Sequence, residues 1–262
     1  SDSSAVCYVL NAGDWKSSNS SLTKYDLETG AAVQNYFEYQ NGRCLGNTAN
    51  DMLVHGSKMY IAVSGESTIE VASLDAKSIK QIKCSGQPRY LAANGNNVYV
   101  TYYDGNVARI DTATLEVDAM VPVGRNPEQL AVCDGKLYVA NSGGLDYNTA
   151  LGYDNTVSVI DVAAFSQDVK VEVTCNPAVV VAAGNEVYVA SYGNYYDDRG
   201  VFLSFELDGK TVFSSLPEKI NAESGTLFLD GDWIESDVIE EFLIKVQDDP
   251  SNYVQFYKTI YI

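Results

Sequence analysis

Residues Asn126 to Asn141 read NPEQLAVCDGKLYVAN, and the way this stretch recurs decides the fold. Its proline, Pro127, precedes Tyr138 by 11 positions. The same interval separates Pro88 from Tyr99, Pro177 from Tyr188, Pro217 from Phe228 and Pro250 from Tyr261, which uses five of the six prolines. Eleven positions before Tyr60 stands Ala49, a copy without its proline, and Tyr8 begins a copy whose first half would precede the chain. Seven aromatic anchors result. An interval repeated this often needs one structural cause.

Each copy splits into two apolar runs around a Gly-containing turn, as at Asn94-Gly95, Asp134-Gly135 and Ala183-Gly184. The second run carries the aromatic, flanked by apolar residues in every copy, for example Met59/Ile61, Val98/Val100 and Leu137/Val139. Two β-rich runs joined by such a turn read as a hairpin. A helix would not place Gly at its centre and β-branched residues so densely after it. A second hairpin follows. Its first strand is clearest at 156–161 (TVSVID), with parallels at 22–26, 68–73 and 106–111. The Asp closing three of these runs opens a turn in which its carboxylate can accept from backbone N–H groups two residues on.

Four antiparallel strands in about 40 residues, repeated along the chain, are the signature of a propeller blade. The expectation is therefore an all-β fold: a seven-bladed β-propeller of four-stranded antiparallel blades, with the last blade incomplete. Residues 1–5 are expected to be a polar N-terminal stub, and 6–262 a single propeller domain. Past about Val201 the third and fourth strands of each copy are hard to place, and 235–246 (ESDVIEEFLIKV), which can be misread as a helix, is assigned to strands on repeat logic.

Composition limits the function. The formal charge of −18 argues against a nucleic-acid partner, whose affinity comes mainly from basic groups. No apolar run approaches the roughly 20 residues of a membrane helix. Five cysteines, an odd number without a CxxC pair, signal neither a disulfide framework nor a zinc site.

Strand order then locates the function. In an antiparallel blade with strands A to D, the A–B and C–D turns emerge on one face and the B–C and D–A loops on the other. The first set is short. The second is long and aromatic-rich, including 11–20, 40–50, 141–154 and 191–200. Long loops on one end of a rigid scaffold are where binding usually lives. The candidate ligand-binding residues on that face are Trp15, Asn19, Asn41, Arg43, Tyr102, Tyr103, Arg125, Asn141, Tyr147, Tyr153, Tyr192, Tyr195 and Tyr196. Aromatics with amide and hydroxyl partners suit a bulky, partly apolar, hydrogen-bonding ligand. Any single tyrosine here is better explained by loop packing than by ligand contact; the cluster is what favours binding.

Catalysis has little support. The only histidine, His55, falls at the short-turn end of an A strand, so a histidine-based triad or metal cluster has no material. Asp146, Asp154, Asp197 and Asp198 are available as paired carboxylates, but acidic loops are more often solvated or hold Ca²⁺. No catalytic residue, metal site or cofactor is assigned.

The repeat, NPxxLAxxxGxLYVAN followed by NTVSVID, resembles the YncE-like seven-bladed propellers. Segments 9–26, 41–71, 126–161 and the YGNYYDD loop are similar to surface lipoproteins of gut Bacteroidetes, a group that includes the BtuG-type cobalamin-binding proteins. The resemblance spans about residues 6–200. It implies a lipid-anchored protein of the outer-membrane surface that captures cobalamin or another corrinoid and passes it to a TonB-dependent transporter. Two other classes stay open: a glycan-binding lipoprotein of a polysaccharide-uptake system, since exposed aromatics also stack on sugar rings, and a propeller lyase or hydrolase, which the single histidine leaves with least support.

Overall fold

The computed structural model describes residues 6–194 throughout and, beyond them, the backbone of 202–206, 219–221, 226–229 and 232–235. It is a β-propeller, as the repeat requires. The first sheet holds β1 (Val6–Asn11), β2 (Ser21–Asp26) and β3 (Ala32–Val33). Three complete four-stranded blades follow. They are β4 (Ala49–His55) to β7 (Ser78–Lys83), β8 (Pro88–Asn94) to β11 (Glu116–Pro122), and β12 (Pro127–Cys133) to β15 (Ser166–Glu172). The middle strands of these blades are β5 (Lys58–Val63), β6 (Thr68–Ser73), β9 (Asn97–Tyr102), β10 (Asn106–Asp111), β13 (Lys136–Asn141) and β14 (Thr156–Asp161). Then come β16 (Pro177–Ala183), β17 (Glu186–Ser191) and β18 (Phe202–Glu206) as one sheet, and β19 (Lys219–Asn221), β20 (Thr226–Leu229) and β21 (Asp232–Glu235) as another. Phe228 lies on β20, paired on both sides, where the spacing from Pro217 put a B strand. The repeat that runs from Pro250 to Tyr261, and residues 236–246, lie outside the described residues.

The packing explains the apolar flanks of each aromatic. Tyr60 packs with Leu91, Val98 and Val100 of the next blade, while its neighbours Met59 and Ile61 pack with Leu22 and Phe37 of the preceding one. Tyr99 likewise faces Leu130 and Leu137, and Tyr138 faces Val180 and Val187. A B strand is thus buried on both sides, and a strand buried on both sides reads as a continuous apolar run rather than an alternation. The prolines begin the innermost strands. There β8 packs between β4 and β12, and β12 packs against β16. Proline is tolerated there because the first residue of a strand need not donate to the ladder.

The turns follow their chemistry. Asp134 and Gly135 both take positive φ (44° and 71°), as a two-residue hairpin turn of the mirror-image type demands. Asp111 Oδ1 accepts from the N–H groups of Ala113 and Thr114 (2.9 and 2.8 Å), Asp26 Oδ1 from Glu28 and Thr29, and Asp161 Oδ1 from Ala164. In the copy that carries Ser73 instead, the hydroxyl accepts from Lys77 N–H.

One element departs from expectation. The sequence reading contained no helix, yet Tyr36–Asn41 forms a short one, α1, closed by Gly42 at φ 68° with its N–H bonded to Glu38 O. Its Tyr36 and Phe37 are buried against Leu22, Leu45 and Met59, so α1 fills the seam between the first two sheets beside the two-residue β3. Burial of two adjacent aromatics against the seam, rather than a repeat signal, selects the helix.

Candidate functional site

The loop-rich face carries a cavity of about 260 Å³ lined by Arg89, Tyr90, Glu128, Ser142, Gly144, Tyr153, Asn176, Ala178 and Tyr192. Its floor comes from the starts of the innermost strands. The residue immediately after each repeat position 49, 88, 127 and 177 is Asn50, Arg89, Glu128 and Ala178. In all four copies the register slips at this point, between Ala49 and Asp51, Pro88 and Leu91, Pro127 and Leu130, and Pro177 and Val179. Such bulges break the strict alternation and re-aim a side chain.

Arg89 is the hub. Its Nε and Nη2 donate to Glu128 Oε2 at 3.1 and 2.8 Å, and its Nη1 donates to Asn50 Oδ1 at 2.7 Å. Asn50 returns a bond to Arg89 O at 2.7 Å. The guanidinium lies 4.7 Å from the Tyr103 ring and 5.7 Å from the Tyr90 ring, a placement that holds its plane by cation–π attraction. Glu128 is largely buried, and burial raises its carboxyl above the usual range against the opposing pull of Arg89. The Tyr103 phenol is hydrogen-bonded to the same carboxylate and is pushed up to about 12, first by burial and then by the Glu128 charge. Tyr90 shifts up for the same two reasons. Below them, Asp51 Oδ2 accepts from Leu91 N–H at 2.8 Å, and burial raises its carboxyl too.

The walls are loops pinned by the repeat asparagines. Asn126, at φ 45°, donates to Tyr103 O and accepts from Leu145 N–H, while Asn176, at φ 61°, donates to Gly193 O. Ser142 Oγ donates to Asn126 O and accepts from Gly144 N–H. The loop 142–155 is thereby fixed over the strand starts.

Of the thirteen residues expected to bind, Tyr153 and Tyr192 line the cavity, and Tyr103 stands directly behind it. Tyr147, 62% exposed, stacks on Tyr153 at 6.4 Å and extends the aromatic rim outward. Trp15 is 75% exposed on the first loop, with Lys16 Nζ 4.8 Å from its ring. Asn19 caps its own loop by accepting from Asp14 N–H, and it lines a separate cavity of about 310 Å³ beside α1. Tyr195 and Tyr196 lie outside the described residues.

Five of the thirteen are instead engaged by burial or by internal partners. Tyr102 is 1% exposed and packs in the seam between the second and third sheets, because the B strand runs one residue further than the loop assignment allowed. Asn141 is fully buried: Oδ1 accepts from Gly124 N–H, and Nδ2 donates to Thr156 and Ser158 hydroxyls, each at 3.0 Å. Asn41 donates to Phe37 O and Ala76 O and accepts from Ser78 N–H, tying α1 to the opposite face. Arg43 pairs with the fully buried Glu70 at 2.8 Å. Arg125 is spent on the long loop, on Asp146 at 2.6 Å and Gly152 O at 2.9 Å. The side chains of Asn41, Arg43, Arg125 and Asn141 satisfy internal partners created by the fold.

The residues that sequence reasoning missed, Arg89, Tyr90, Glu128, Asn176 and Ala178, sit inside the repeat itself. For Arg89 and Glu128 the available signal was the one-residue offset from the proline, where a charged residue stands among apolar ones. His55 lies at the opposite face with Nε2 2.7 Å from Gly95 O. Cys7, Cys44, Cys84 and Cys133 form no disulfide. Among the described residues no group of three His, Cys, Asp or Glu side chains converges to hold a metal, and no helix is long and apolar enough to cross a membrane.

No protein-family model matches the chain, and no curated protein matches it. Solved structures do. Hydrazine synthase of Kuenenia stuttgartiensis matches with a TM-score of 0.61 at 15% identity over 79% of this chain and 63% of that one. The WD40 β-propeller domain of Doa1 matches at 0.52, with 16% identity over 69% of this chain and 56% of that one. The chain thus spans less than two thirds of either, and at such identities the likeness speaks to the propeller fold alone.

Proposed function

We propose that this protein is a non-catalytic binding protein that captures a bulky, partly apolar small molecule on its loop-rich face, with a corrinoid such as cobalamin as the first candidate. The observation that carries the reading is the cavity at the strand starts, walled by Tyr90, Tyr153 and Tyr192 over the Arg89–Glu128 pair. Aromatic walls with a few fixed polar groups are how ligand sites are built. At about 260 Å³ the cavity takes only part of a large ligand, so the remainder would rest on the exposed rim of Tyr147 and Tyr192. The choice of corrinoid rests on the sequence resemblance, as do the lipid anchor, the outer-membrane surface location and transfer to a TonB-dependent transporter. Titration of the purified chain with cyanocobalamin, followed by calorimetry, tests it: no heat at micromolar ligand removes the corrinoid. The stacked, exposed Tyr147–Tyr153 pair favours one alternative, a glycan platform. A clean hit on a glycan array without corrinoid binding would select it.

A further inference from the structure

Arg89 and Glu128 hold opposite charges in contact at the floor of the cavity, and their hydrogen-bonding capacity is only partly used. A guanidinium has five N–H donors. Two of them go to Glu128 Oε2 and one to Asn50 Oδ1. Two N–H groups of Arg89 are therefore uncommitted to these partners; on the carboxylate, Arg89 makes two bonds to Oε2 and the Tyr103 phenol a third, which leaves one of its about four lone-pair positions open. A donor and an acceptor stand side by side with no net charge between them. The Tyr103 and Tyr90 rings hold the guanidinium in place. The position that carries Asn50, Arg89 and Glu128 in three successive inner strands is occupied in the fourth by Ala178, whose small side chain leaves room for a guest.

We infer that this floor is a charge-compensated subsite for a neutral group that donates and accepts hydrogen bonds at once, a primary carboxamide being the simplest. The inference rests on reading the loop-rich face as a binding face, and it names the chemistry that face selects. An anionic guest meets the Glu128 carboxylate and a cationic one meets Arg89, so a charged group loses its water without gaining an uncompensated partner. A carboxamide places its C=O toward the guanidinium and its NH₂ toward the carboxylate. Its aliphatic carbon lies among the tyrosine rings. Arg89 and Glu128 then determine specificity without any chemical step.

The test uses the whole chain, ¹⁵N-labelled, with propionamide, propionate and propylammonium as probes and the amide signals of Ser142, Gly144 and Tyr192 as reporters. For the wild type, propionamide shifts these signals with an affinity about tenfold better than either ion, the scale of one mismatched charged contact. Glu128→Gln leaves Arg89 uncompensated and turns the preference to propionate, again by about tenfold. Ala178→Leu fills the space from the far wall, leaves the ion pair intact and abolishes all three responses. Propionate binding the wild type as well as propionamide does, or an unchanged order in Glu128→Gln, overturns the inference. Should Glu128→Gln not fold, the wild-type series and Ala178→Leu decide alone. Cyanocobalamin run in parallel separates this from the wider reading. Carboxamide selectivity without corrinoid binding keeps the subsite and removes the corrinoid, whereas corrinoid binding unaffected by Ala178→Leu removes the subsite and keeps the corrinoid.

Discussion

Replacing Asn141 by alanine tests whether this residue belongs to the scaffold or to the ligand. Its side chain is fully buried and makes three bonds of 3.0 Å. The acceptor half holds Gly124 N–H, which joins β11 to the strand start at Pro127. Without it that N–H has no partner in a site closed to water, a cost of about 1–3 kcal/mol. The donor half serves Thr156 and Ser158, whose hydroxyls can turn elsewhere, so their loss adds about 1 kcal/mol. The sum, about 3 kcal/mol, corresponds to a drop in Tm of about 6–12 °C for a chain of this size. The geometry supplies an internal control. A Cβ on Gly124 would lie 2.3 Å from Asn141 Cγ and 2.5 Å from its Nδ2. Gly124→Ala alone therefore overpacks the site and costs about 1–3 kcal/mol. In the Asn141→Ala background the Cγ and Nδ2 contacts disappear while the Cβ of residue 141 stays 2.6 Å from the new methyl, so the cost falls by about 1 kcal/mol without vanishing, the coupling expected of residues in contact. Urea midpoints of the four proteins measure this. A loss below about 0.5 kcal/mol for Asn141→Ala, or a Gly124→Ala penalty equal in both backgrounds, would refute the reasoning.

Two further outcomes follow from the electrostatics. Backbone N–H groups hold the carboxyls of Asp26, Asp111 and Asp161 below their ordinary range, chiefly those of Thr29, Thr114 and Ala164 respectively. A depressed folded value contributes stability that is present above the unfolded pKa of about 3.9 and lost as pH falls through the folded one. Asp26→Asn, Asp111→Asn and Asp161→Asn together keep an acceptor oxygen and remove the titration, so Tm between pH 5 and pH 2.5 should fall less steeply than in the wild type; superimposable acid limbs would show that the turns carry no such term. Arg43→Met leaves the carboxylate of Glu70 buried without its cation and should cost about 2–3 kcal/mol, less than a fully enclosed pair because the Arg43 side chain is 41% exposed. Adding Glu70→Gln should recover more than half of that loss in urea unfolding, and no recovery would mean that Arg43 acts through packing over Phe37 instead.

Much of the scaffold was legible because its causes are local. Among the described residues, each Pro-to-Tyr interval (88–99, 127–138 and 177–188) is one hairpin, so its length records two strands and a two-residue turn. The strands β6, β10 and β14 fall on the runs read as third strands, since the Asp or Ser that ends each is bonded within three or four residues of itself. The helix α1 was not legible. It answers to Leu22, Leu45 and Met59, which are close only after folding. The same holds for the internal partners of the polar loop residues. Asn41 and Arg43 look like loop residues until Ala76 and Glu70 are brought against them.

The chain by itself determined the propeller, the face on which the long loops gather, and the anchoring of NPEQLAVCDGKLYVAN as two strands of one blade. Local spacing and turn chemistry suffice for these. The tertiary structure decided where the site is. Glu128 belongs to that opening stretch and meets Arg89 from 39 positions away, because two inner strands lie side by side. A bulge at each strand start disrupts the alternation that would have foretold which way each side chain points. Periodicity reads a residue against its neighbours in sequence, whereas the cavity is formed by residues equivalent in successive repeats, brought together only when the blades pack around one axis.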